Sequence, residues 1–188
     1  MDNFEQIKTL YEKYISLIRK FFGEEQALAL ETAVGERLVL AARGQKPDEG
    51  GVAGGLVSYA LDCAVASKIF SKDKALHKSL IRVALVHELG KVGSLNDPQD
   101  LFIPEQSDWH REKLGRHYKY NENCPRMVIS HRTLYYLAKL NFDLNEDEWQ
   151  AVLTSGGLHL EENKYYGHSN HQLSILFQAI RVQAQMHT

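Results

Sequence analysis

The sequence is poor in cysteine, carries no excess of basic charge and has no long apolar run, and each shortage removes a class of protein. Only two cysteines, Cys63 and Cys124, occur among 188 residues. A disulfide-stapled secreted domain needs a denser framework, so the pair reads as reduced thiols of a cytosolic protein. No Cys-x-x-Cys pair is present for zinc or redox chemistry. A formal net charge of -2 and a pI near 6.5 give no bulk attraction to nucleic acid or anionic lipid. No apolar stretch approaches the ~20 residues of a membrane span. The opening MDNFEQIKTLYEKY lacks the basic and apolar regions of a signal peptide. The expected location is therefore the cytoplasm, with no membrane partner. Missing too are strand-length alternation with hairpin turns, internal repeats and low-complexity tracts.

What is there reads as helix. The content of 44% hydrophobic and 24% charged residues is ordinary globular usage, enough for one domain with its own core. Phe4, Ile7, Leu10, Tyr14, Leu17, Ile18 and Phe21 recur at spacings of three and four, which predicts a helix over 3–22 with Gly23 as a left-handed stop. A second helix is expected from Glu24 to about Arg43, broken at Gly35. Five glycines and a proline in 44–55 end regular structure there. Helical patterns resume over 56–70 and again through LIRVALVHELGKV, the latter capped by Ser71 or Asp73. Loops are expected over 94–104 and 119–129, with a short helix over 106–118 between them. Three helices follow, starting at Ser130, at Asn145 (where Asn145 and Glu148 match a capping box) and in QLSILFQAIRVQAQM. The reading is an all-α helical bundle in one chain unit. Residues 1–35 form an N-terminal helical segment packed on a domain of 36–188.

The most informative residues chemically are His87 and Glu88, at the end of an apolar helix and followed by Leu89-Gly90-Lys91. A histidine and a carboxylate can reach one ion where a helix end loosens, and Lys91 adds a cation for a phosphate. The same residues also suit a plain helix terminus, with His87 and Lys91 complementing the dipole and Gly90 as the cap.

The wider sequence favours the first alternative by resemblance. VALVHELGKVG resembles the signature of the HD metal-dependent phosphohydrolases, an apolar helix ending in His-Asp before an apolar residue, Gly and Lys. GGLVSYALDCA is similar to the family's Gly-Gly-Leu-x-x-His-Ser-Leu helix. The succession SDWHREKLGRHYKYN, SHRTLYYL and GGLHLEENKYY resembles a bacteriophage-type branch of that superfamily, which would place the protein in a host cytoplasm. The likeness spans roughly residues 36–186. It implies an all-α fold and hydrolysis of a phosphoester, often in a nucleotide, by a divalent metal that activates water.

The departures fall on the implied metal ligands. The first histidine matches Tyr59, a poor ligand as a neutral phenol. Aspartate of the His-Asp pair is Glu88, whose extra methylene moves the carboxylate by ~1.5 Å, whereas ligand distances tolerate only ~0.2 Å. The resemblance also implies an acidic residue in an Asp-Gly loop, matched here by Gly156, and an aspartate from an Ala-Asp of the final helix, matched by Ile180. His87 and Glu88 are left as an incomplete metal pair. That disfavours zinc, which takes three protein ligands in catalytic sites, and leaves weakly held magnesium or manganese. A relocated site on His159, His168 and His171 with Glu161 and Glu162 is a further candidate, set against solvated loop histidines.

Lys91, Trp109, Arg111, Tyr118 and Arg132 are the expected ligand or phosphate contacts, with His110, Lys113, Tyr120 and Asn121 nearby in sequence; aromatics stack on a base while cations meet phosphate. The same residues also suit packing and a solvated face. The expected function is a non-catalytic, HD-like pseudoenzyme binding a nucleotide or other phosphorylated molecule, or an interaction module. The alternative is a divalent-metal phosphohydrolase rebuilt on His87 and Glu88. Nucleic-acid binding has only the cations of 110–132 in its favour, and self-association is left open.

Overall fold

The computed structural model describes residues 2–157, 159–161, 163–164 and 171–186. Helix α1 (Asp2–Phe22) buries Ile7, Tyr14, Ile15 and Ile18 and leaves Phe4 exposed. Its predicted stripe holds except at that first turn. Gly23 has φ 117° and ψ 169°, a positive-φ corner open to glycine but extended rather than left-handed helical. Helix α2 (Glu24–Leu40) then runs without interruption through position 35. The expected break is absent because Gly35 serves packing: a Cβ there would lie 2.9 Å from the Tyr11 hydroxyl on α1.

The glycine-rich segment leaves helix as expected and holds one 3-10 turn, Pro47–Glu49. Helix α3 (Gly55–Phe70) follows and is buried on most sides, from Leu56 and Val57 to Cys63 and Ala66. A Cβ on Gly55 would meet the Gly50 carbonyl at 2.2 Å, so the first turn of α3 fits the loop only without a side chain. Helix α4 (Lys74–Val86) is capped by Asp73, whose Oδ1 accepts from Leu76 N at 2.8 Å. It ends in a 3-10 turn, Leu89–Val92.

Two expected loops contain strands. β1 (Phe102–Pro104) and β2 (Tyr118–Tyr120) pair antiparallel, Phe102 opposite Tyr120. Three residues are too few to display a period of two, so alternation gave no signal. Between them α5 (Asp108–Leu114) is capped by Ser107 and stopped by Gly115 at φ 62°. Helices α6 (Ile129–Lys139), α7 (Glu146–Leu153) and α8 (Gln172–Gln185) complete the chain. The Asn145–Glu148 capping box forms in both directions. Glu148, 2% exposed, also pairs with Arg82 at 2.9 Å and so ties α7 to α4.

The fold is all-α and a single unit. Tyr14, Leu30, Val57, Leu80, Leu137, Phe177 and Ile180 belong to one hydrophobic core to which every helix but α5 contributes. A smaller cluster of Ala42, Leu101, Phe102 and Cys124 lies under the two strands. Among the described residues no helix is long and apolar enough to cross a membrane.

Candidate functional site

The end of α4 is where buried charge collects. Glu88, just past the helix at φ -114° and ψ 13°, is 7% exposed. Gly90 lets α6 pack against this turn, since a Cβ there would lie 2.6 Å from Ile129 O. Gly90 N donates to the Thr133 hydroxyl at 2.9 Å, and that hydroxyl donates to His87 O at 3.2 Å. Close approach, rather than a positive-φ cap, is thus what position 90 requires.

Three cations converge on the Glu88 carboxylate. Arg43, which follows α2, donates from Nε to Oε2 at 2.7 Å and from Nη2 to Oε1 at 3.5 Å. Lys91 Nζ stands 3.1 Å from Oε1. Arg181 of α8 donates from Nη2 to Oε1 at 3.4 Å and from Nη1 to the Ser155 carbonyl. Burial alone would raise the Glu88 pKa, but Lys91, Arg43, His87 and Arg181 outweigh it and hold the carboxyl well below its usual range. The Lys91 ammonium is lowered by burial, with Glu88 opposing.

Tyr59, at the position matched to the first metal ligand, supports these cations. The Arg43 guanidinium lies over its ring, 3.5 Å from the centroid, and its hydroxyl donates to Arg181 O at 3.3 Å. Desolvation raises the Tyr59 phenol above its ordinary value and pushes the Cys63 thiol up to about 12, so neither supplies an anionic ligand near neutral pH. Ile180 is fully buried in the core while its neighbour Arg181 enters the site. Gly156 lies elsewhere, on a groove with Leu160.

His87 packs between aromatic rings. Its ring centroid is 4.8 Å from Phe177, edge on, and 5.8 Å from Tyr59. The Nδ1 atom lies 2.9 Å from Ala84 O, a contact that requires the proton on Nδ1. Nε2 is then a buried lone pair without a hydrogen-bond partner. Burial pushes the His87 pKa down to about 3, which keeps the ring neutral.

A divalent metal does not fit this donor set. His87 Nε2 offers one free lone pair, but both oxygens of Glu88 are engaged by cations. Among the described residues no three His, Cys, Asp or Glu side chains group as metal ligands. A 2+ ion ~5 Å from each cation would meet a repulsion of roughly 7 kcal/mol apiece at an effective dielectric of ~20. The arrangement instead suits an anion. Three cations face one carboxylate, and Arg43 and Lys91 line an open cleft of ≈ 420 Å³ with Gln45, Phe102, Tyr120 and Gln185. Glu49 is also on this rim, its carboxylate accepting from Gln45 N and Lys46 N at 3.3 and 3.4 Å. The cavity beside His87 measures only ≈ 10 Å³, about one water, so a ligand has room at the cleft and not there.

Of the five expected ligand contacts only Lys91 lines this cleft; Tyr120, which the sequence reading named with His110, Lys113 and Asn121, does as well. Trp109 is 58% exposed on α5. Arg111 pairs with Asp108 on the surface. Tyr118 is half-buried in β2, its backbone N donating to Gln45 O. Arg132 is buried and donates to the carbonyls of Gly90 and Pro125, a structural tie across the 89–92 turn. His110 lies 3.2 Å from the buried Glu105. Of the proposed relocated site, His171 pairs with Asp147 and His159 lies beside Gly157; His168 and Glu162 fall outside the described residues. Arg43 and Arg181 escaped the sequence reading. Their only signals were a charge beside the glycine-rich loop and a lone cation within an otherwise core-like helix.

No family model, curated protein or solved structure matches the chain.

Proposed function

We propose that the chain is an HD-phosphohydrolase-like domain in which protein cations have taken the place of the metal, and that it binds a phosphorylated small molecule, a nucleotide or a related phosphoester, without hydrolysing it. The observation that carries this reading is the convergence of Arg43, Lys91 and Arg181 on the single carboxylate of Glu88, with Arg43 and Lys91 open to a cleft. The motif order from GGLVSYALDCA through VALVHELGKVG to GGLHLEENKYY, which resembles that of the HD superfamily, supports this reading. Surplus positive charge in a partly desolvated site is suited to phosphate oxygens, which accept charge-assisted hydrogen bonds from guanidinium and ammonium groups.

The rival reading is a divalent-metal phosphohydrolase built on His87 and Glu88. It has the unpartnered Nε2 of His87 in its favour. Against it stand the missing third ligand and the cations already bound to Glu88.

The test is calorimetric titration with inorganic phosphate, AMP and ADP in EDTA, repeated with magnesium, manganese or cobalt. The expected result is binding in EDTA, weakened about tenfold or more by Lys91→Ala and largely kept by Lys91→Arg. Circular dichroism at the same temperature checks that the variants are folded. Failure of every phosphate compound to bind overturns the reading. Metal-dependent phosphate release abolished by Glu88→Gln establishes the rival.

A further inference from the structure

The cationic cleft does not end at its polar residues. Tyr120 and Ile129 line it on one side and also line a second, larger groove of ≈ 1070 Å³. The two therefore abut along a shared wall. This second groove is bounded by Leu101, Cys124, Met127, Val128, Ile129 and Leu160. Met127 and Val128 are 46% and 43% exposed at the start of α6, and Tyr120 is 58% exposed. Apolar side chains thus face solvent around a cavity at the upper end of the range for small-molecule sites.

The groove's amides are already engaged within the protein. Asn121 Nδ2 donates to Asp100 O at 2.9 Å and to Gln99 Oε1 at 3.4 Å, while its Oδ1 accepts from Asn123 N at 3.0 Å. Asn163 Nδ2 donates to Gly157 O at 2.8 Å. A nucleobase would require polar groups converging free into the groove. Glu122, Arg126 and Ser130 complete the polar lining, the first two exposed to solvent rather than buried in the groove. An apolar chain makes no such demand and gains from leaving water.

We infer that the ligand is an amphiphilic phosphomonoester: a phosphate head at Arg43 and Lys91, and a single apolar chain passing Tyr120 and Ile129 into the groove along Leu101, Met127, Val128 and Leu160. This rests on the phosphate-binding reading above and narrows its ligand. Charge complementarity fixes the head, and the shared wall fixes where the tail goes. The occupant is one soluble molecule, since the groove is bounded and lies beside a two-residue cation site rather than a broad basic face.

The experiment is calorimetric titration of the full chain in EDTA with four probes: inorganic phosphate, AMP, n-decyl phosphate kept below its micelle concentration, and decanol. The inference expects decyl phosphate to bind at least about a hundredfold more tightly than inorganic phosphate, from burial of several methylenes. It expects Val128→Asn, which adds polarity without charge, to remove much of that gain and leave inorganic phosphate binding unchanged. That substitution puts a favoured capping residue at the α6 N-cap, so folding is not the obstacle. Inorganic phosphate and decyl phosphate binding equally well overturns the tail assignment and leaves the phosphate reading intact. AMP binding more tightly than decyl phosphate overturns it in favour of a base-reading groove. Decanol matching decyl phosphate overturns the role of the head, and no binding by either phosphate overturns both readings.

Discussion

Replacing Glu88 with glutamine removes the negative charge that Arg43, Lys91 and Arg181 share. Arg43, Lys91 and Arg181 lie 2.7, 3.1 and 3.4 Å from its carboxylate oxygens, and the side chain is almost wholly removed from water. Glutamine keeps the volume and one acceptor oxygen but turns an NH2 donor toward donors. Breaking a buried pair from one side costs about 3–5 kcal/mol, because a charge is left without compensation. For a chain of this length that is a fall in Tm of roughly 6–20 °C. The assay is thermal and urea unfolding followed by far-ultraviolet circular dichroism, with and without tens of millimolar phosphate. Because the variant's cations have lost the Glu88 carboxylate, added phosphate should raise the variant's Tm more than the wild type's. A loss under about 1 kcal/mol, or an equal phosphate response in both proteins, refutes the reasoning.

Three further outcomes follow from the same geometry. His87 is neutral in the folded protein down to about pH 3, against 6.5 unfolded; between those values the unfolded chain binds the extra proton. Stability should therefore fall with acidification by about 1.4 kcal/mol per pH unit below 6.5. The lowered Glu88 carboxyl adds to the loss below its ordinary value of 4.5. His87→Leu should flatten the Tm profile between pH 6.5 and 5, and a flat wild-type profile there contradicts the burial assignment. Gly55→Ala should destabilise by about 2 kcal/mol or more, since its Cβ meets a carbonyl at 2.2 Å. Gly115→Ala, with open space but φ +62°, should cost only about 1 kcal/mol in urea unfolding; equal losses at the two sites would show that sterics do not govern position 55.

The helices were legible because each carries a local signal. Ile7, Tyr14 and Ile18 mark the buried stripe of α1, and Asp73 and Asn145 cap where their side-chain chemistry predicts. Gly35 misled because its role is set by Tyr11 across a helix interface, and one sequence does not display such a partner. The two strands escaped because each spans three residues. At the site, His87, Glu88 and Lys91 were visible as a contiguous motif. Arg43 and Arg181 were not, since the packing of α8 beside α3 and α4 brings Arg181, and the packing of α2 against α3 and the 89–92 turn brings Arg43, to one carboxylate. Trp109 and Arg111 were read as ligand contacts for their chemical type, yet α5 holds both on the outer surface, away from the cleft.

The central claim is that protein cations fill the site where a divalent metal is implied by resemblance. A crystal grown with manganese and soaked in phosphate, measured at the manganese absorption edge, tests it most directly. The account predicts no anomalous peak at Glu88 or His87 and phosphate density within hydrogen-bond reach of Lys91 and Arg43. A manganese peak coordinated by Glu88 and His87 Nε2, with Arg43 and Arg181 swung away, would contradict it.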